Sequence, residues 1–154
     1  MIITSDTKIY YESSKEGNCL NMKPTFIGDV FVANQKMPWG KGMIAGDTIY
    51  LSGVDGCDPA TGKFPTEVQG QAEFVFQKIK ERLEDAGSDV DHIVRFVTYL
   101  VGRESLPGYR AARIDWFKKN SSHPNPLYAA TLLFVSGLAE PEMLLEIDVT
   151  AVKK

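Results

Sequence analysis

Metal-binding and cross-linking residues are scarce in this sequence, with two cysteines and two histidines among 154 residues. Cys19 and Cys57 stand far apart, neither has a second Cys or a His at ligand spacing, and His92 and His123 are equally isolated. Such spacing argues against a zinc site. One disulfide is possible in principle, but reduced thiols fit a chain without a secretory leader better. The opening "MIITSDTKIYYESS" lacks the basic-then-apolar order of such a leader, and a cytoplasmic location is expected. Long apolar runs are missing too: none approaches the roughly 20 residues of a membrane helix, so no membrane partner is expected. Nor is there a basic excess. Lys and Arg total 17 against 20 Asp and Glu, a formal charge of −3, which offers no field for a phosphate backbone and makes nucleic acid an unexpected partner.

What remains is the material of one domain, residues 1–154, large enough to bury roughly two thirds of its unfolded surface. No repeat, low-complexity run or linker divides it. Residues 1–37 read as a less regular N-terminal extension that includes a short strand, "FIGDVFVAN", and runs into a turn-rich loop, "MPWGKG". "KGMIAGDTIYLSG" reads as a hairpin turning at Ala45, Gly46 and Asp47, and "VDGCDPATGKFP" as loop. Thr66 and Gln69 form a capping-box signature, after which Val68, Ala72, Val75, Ile79, Leu83 and Ala86 keep helical spacing until Gly87. "HIVRFVTYLV" is β-branched and aromatic, hence a strand. A second helix is expected from near Ser105 to Asn120, with Pro107 in its first turn and Tyr109, Ala112, Trp116 and Phe117 on its core side. Strands over 128–135 and 143–152 complete an α+β sandwich with both helices on one face of a mixed sheet.

In "LLEIDVTAV", Leu145, Ile147, Val149 and Ala151 alternate with Leu144, Glu146, Asp148 and Thr150. If the first set lies under the helices, the second points away from them. "YAATLLFV" is mainly apolar on both faces. A second face mixing aliphatic residues with acids points to a subunit interface that lines a pocket.

Glu146 leads the candidates for general acid or base, because a carboxylate between Leu145 and Ile147 is partly desolvated and titrates nearer neutrality. Read by periodicity alone, it is a solvated strand residue. Ser52 and Gly53 in "IYLSG" let a hydroxyl and an unhindered backbone approach a ligand, though turn formation explains the same pair. No nucleophile motif surrounds Ser52. Cys57 lies between Asp55 and Asp58, which disfavour its thiolate. Arg110 and Arg113 sit on neighbouring parts of one helical face, as a carboxylate clamp or simply as solvated arginines. "ATGKFPTEVQG" lacks the phosphate-loop pattern.

These segments, in order from Pro38 to Val152, resemble the Rid family, also called YjgF. "DTIYLSGVDGCDPATGKF" resembles its strand and SG turn, "QGQAEFVFQKIKERLEDAGSDVDHIVRFVTYL" its long helix and next strand, and "GLAEPEMLLEIDVTAV" its closing strand. The resemblance implies a chorismate-mutase-like fold, a homotrimer with three intersubunit pockets, no metal and no organic cofactor, and hydrolysis of reactive imines and enamines. It matches Trp39 in "MPWG" to an aromatic pocket residue, Ser52 and Gly53 to the SG pair, and Glu146 to the glutamate that positions water. Where imine deaminases of the family have "PAR" followed by Ser or Thr, this chain has "YAAT". Ala130 thus stands in place of the carboxylate-binding arginine, and Thr131 matches the following hydroxyl. Losing that contact costs a carboxylate substrate about 1.5 to 3 kcal/mol. Three readings follow: a small-molecule hydrolase or deaminase of altered specificity, deamination with Arg110 or Arg113 as the substitute cation, or a metabolite-binding or chaperone-like protein without turnover.

Overall fold

The computed structural model describes residues 23–32, 35–123 and 127–154; Cys19 and most of the N-terminal extension lie outside them. Seven strands form one sheet, ordered β1-β2-β3-β7-β5-β6, with β4 also paired to β7. β1 (Thr25–Val32) and β2 (Gln35–Ala45) form an antiparallel ribbon, and β2 turns through Gly46 into β3 (Thr48–Leu51). Gly46 has φ of 62°, the left-handed conformation that such a turn requires. β4 (Val54–Asp55) continues along β7 (Leu145–Val152), and β5 (Ile93–Val101) lies between β7 and the parallel edge strand β6 (Ala129–Val135).

The expected loop "MPWGKG" is instead part of β2. Its glycines explain why: a methyl at Gly40 would strike the Phe26 ring, and one at Gly42 would crowd Ile27 and the Tyr50 carbonyl. Glycine inside a strand here marks close backbone approach, not a turn.

Helix α1 (Val68–Asp85) starts and ends where the periodicity places it, but the capping box does not form. Its cap residue is Glu67, one position beyond Thr66, and no side chain caps it. Helix α2 (Leu106–Asn120) has Pro107 in its first turn. The α1 residues Val75, Phe76, Ile79 and Leu83 bury against Ile49, Leu145, Ile147 and Val149 of the sheet. Tyr109 and Phe117 of α2 pack on Phe76 and Phe96, and the Tyr109 hydroxyl meets Thr98 Oγ1 at 3.0 Å. Both helices therefore cover one face. Gln71, buried in α1, bonds to the carbonyls of Pro65 and Glu142 and to the Leu144 N–H. Those bonds fix the chain just before β7.

Directly paired strand residues share a face. The other face therefore carries Phe26, Met43, Tyr50, Thr150, Arg95, Val97, Asp148, Tyr99, Glu146, Thr131 and Leu133. Phe26, Met43, Tyr50 and Leu133 are exposed on it. No helix of the described residues is long and apolar enough to cross a membrane.

Candidate functional site

The site grows from a break in one strand. Between the pairs Tyr50↔Thr150 and Val54↔Ile147, four steps along β3–β4 answer three along β7. The extra residue pushes Ser52 and Gly53 out of the ladder, as a bulge does. Their polar groups turn to other partners. Ser52 N–H donates to the Lys41 carbonyl at 3.0 Å, and Ser52 Oγ donates to the Gly40 carbonyl at 2.6 Å, next to Trp39. The Ser52 carbonyl accepts from Arg82 Nη1 of α1 at 3.2 Å. Among the described residues no acceptor takes the Gly53 N–H.

Glu146 faces this break. It pairs with Tyr99 of β5 and Asp55 of β4 on the face away from the helices. Its carboxylate lies where a Gly53 side chain would project, so a methyl at position 53 would collide with it. Burial raises the carboxyl above the ordinary glutamate range, and the charges of Asp148 and Asp55 raise it further. Among the described residues no donor bonds to it. The hydroxyl of Tyr99, the residue paired with Glu146 across β5 and β7, donates to Asp148 Oδ2 instead, at 3.1 Å. Such a group accepts a proton from bound water more readily than a solvated carboxylate. Ser52 Oγ, its proton engaged by Gly40, offers lone pairs; Gly53 N–H offers a donor.

The remaining sequence candidates separate. Trp39 is exposed on β2, next to Gly40. Thr131 pairs with Val97 and shares the Glu146 face, whereas Ala130 pairs with Phe96 and shares the helix face at the sheet edge. Arg110 is exposed on α2. Arg113 donates to the Tyr128 hydroxyl at 2.7 Å, two residues before Ala130. Within one chain, therefore, Gly53, Glu146 and Thr131 share the open face, with Ser52 next to Gly53 in the break, and Ala130, Arg110 and Arg113 belong to the side of the helices. Burial raises the Cys57 thiol; Lys78 opposes this, and Asp55 and Asp58 add to it. Among the described residues no His, Cys, Asp and Glu cluster is arranged for a metal. A groove of about 430 Å³ between α1 and α2, lined by Phe74, Asp115 and Trp116, contains none of these residues.

Sequence reasoning missed Tyr99, Arg82 and the charge of Asp148 acting on Glu146. Alternation places Asp148 on the Glu146 face, so that signal was present. Tyr99 needed the β5–β7 register. Arg82 follows Lys78 by one helical turn beside the buried stripe, and spacing alone reads both as solvated.

The sequence model of the family described as endoribonuclease L-PSP matches residues 33–153. The chain belongs to this family, the YjgF or Rid family. A RutC family protein of Haemophilus influenzae is 28% identical over 117 residues, 76% of this chain and 88% of that one. Reactive Intermediate Deaminase A, chloroplastic, of Arabidopsis thaliana is 37% identical over 59 residues, but these span 38% of this chain and 32% of that protein. Among solved structures, E. coli TdcF with bound serine superposes with a TM-score of 0.70 at 22% identity, covering 77% of this chain and 90% of that one. The mixed α+β fold, one sheet with two helices, is that of the YjgF structures.

Proposed function

We propose that this protein is a Rid-like hydrolase that deaminates a small C=N compound, or a related electrophile, in a pocket between subunits of a homotrimer. The observation that carries this reading is Glu146: a half-buried carboxylate of raised pKa, lying against Gly53, with no donor engaging it among the described residues. Glu146 accepts a proton from water as the water oxygen bonds to the imine carbon. The resulting carbinolamine re-forms a C=O bond as nitrogen takes up protons and leaves as ammonia, so an imine and water give a carbonyl compound and ammonia. Ser52, Gly53, Thr131 and Trp39 bind the substrate around that carbon. The exposed Phe26, Met43, Tyr50 and Leu133 on the same face support the trimer, since an apolar sheet face of this kind marks an interaction surface. Ala130, in the arginine's place, supports a substrate less dependent on a guanidinium clamp than the 2-imino acids.

The test is ammonia release from freshly generated 2-aminoacrylate and from a panel of neutral imines, in wild type, Glu146→Gln and Arg110→Ala/Arg113→Ala. Turnover lost in Glu146→Gln and kept in the double variant is expected. If the double variant alone abolishes 2-aminoacrylate turnover, the cation lies on α2. No turnover of any substrate moves the assignment to metabolite binding without catalysis.

A further inference from the structure

Helix α1 sends a cation to the back of the Ser52–Gly53 turn. Arg82 is partly buried, and that burial pulls its guanidinium below its ordinary pKa. Its hydrogen bond goes to the Ser52 carbonyl, not to an acid. The neighbouring carboxylate, Asp55, is instead engaged by Lys78 at 2.9 Å. The turn contains no cis peptide, so the Ser52 C=O and Gly53 N–H point in opposite directions across one planar unit. With the carbonyl held toward α1, the N–H points away from Arg82. It is unpaired within the described residues, and its glycine adjoins the Glu146 carboxylate.

We infer that Arg82 is a positioning residue: it fixes and polarises the Ser52–Gly53 peptide so that the Gly53 N–H serves as an anion-binding donor beside Glu146. The inference rests on the proposed function and narrows its substrate class to small C=N compounds that carry an acceptor oxygen, carboxylate or carbonyl, next to the reacting carbon. Arg82 touches no substrate. Its charge reaches the ligand through one peptide unit, a weaker and single-donor grip than the direct, often bidentate contact that an arginine makes.

The experiment follows the Gly53 amide by ¹⁵N–¹H NMR in the full chain during titration with propionate or its neutral analogue propionamide. Melting temperatures are measured alongside for wild type, Arg82→Met and Arg82→Lys. Propionate is expected to shift the Gly53 amide. Arg82→Met is expected to weaken propionate by roughly tenfold, the scale of one charge-assisted hydrogen bond, and propionamide by clearly less. Arg82→Lys, which keeps the charge, should retain most of the propionate affinity. The inference is overturned if propionate leaves the wild-type Gly53 amide unmoved, or if Arg82→Met binds propionate as wild type does. Equal loss of both ligands in both variants, with a fall in melting temperature, also overturns it, because that is a packing role. If the expected pattern appears but no imine is turned over, Arg82 keeps its role and the catalytic reading fails.

Discussion

The Glu146 carboxylate occupies the space into which any side chain at Gly53 would project. The two residues are far apart in sequence and meet because β4 and β7 pair around the Ser52–Gly53 break. Gly53→Ala must therefore displace the carboxylate, and displacement of a catalytic group by about 1 Å costs on the order of 100-fold in rate. We expect kcat/KM for the preferred imine to fall by roughly that factor with little change in melting temperature. Steady-state ammonia release compared with calorimetry checks it.

On the proposed mechanism Glu146→Gln keeps the shape and removes the base, so turnover should fall by about 100-fold or more, within the range for a general base. On the same proposed mechanism, wild-type activity needs the ionised carboxylate and should be lost as pH falls through its raised pKa. The acid limb then lies above the ordinary glutamate range, and a pH–kcat profile reads it directly.

The same shift has a stability sign. A carboxyl whose folded pKa is raised binds more protons folded than unfolded in the window between the two values, so its contribution to stability declines as pH rises through that window. Glu146→Gln removes this penalty. The variant should melt higher than wild type at neutral pH, and the difference should shrink below the ordinary glutamate pKa. Thermal scans from pH 3 to 8 would contradict this if the gap widened on acidification.

Asp89 behaves in the opposite sense. Burial opposes its ionisation, but hydrogen bonds from His92, Lys154 and the Asp91 N–H outweigh it and hold the carboxyl at about 2. A depressed pKa stabilises above the unfolded value, and the contribution is lost as pH falls through the folded one. Asp89→Ala, which also removes the cap of the short helical turn before β5, should cost about 1 kcal/mol at neutral pH. That deficit should close as pH falls from about 4 towards 2, as measured by denaturant titration.

Leu133 is an exposed aliphatic residue on the Glu146 face. If that face forms the trimer, Leu133→Asp places a charge in its interface, where an unpaired buried charge costs several kcal/mol. Light scattering should then report a monomer with native secondary structure and without deaminase activity. A variant that stays trimeric would place the interface elsewhere.

Much of the architecture was legible in local pattern. The spacing of Val68, Val75, Ile79 and Leu83 set α1, and the alternation of Leu145 to Val152 set both the strand and the side to which Glu146 belongs, because burial repeats every 3.6 residues on a helix and every two on a strand. Ser52, Gly53 and Glu146 could be nominated for the same reason, as residue types at element ends or on an exposed face. Only the tertiary structure decided that they meet. The β4–β7 register sets Glu146 against Gly53, and the β5–β7 register puts Tyr99 opposite Glu146, from where its hydroxyl reaches diagonally to Asp148. Helix packing turns Arg82, one solvated-looking cation among many, onto the Ser52 carbonyl. The misread "MPWGKG" shows the limit from the other side: its glycines suggest a turn locally but admit Phe26 and Ile27 once β1 is paired. Periodicity records which face of an element is buried, whereas a site depends on which distant elements pair and in what register, information that no single segment carries.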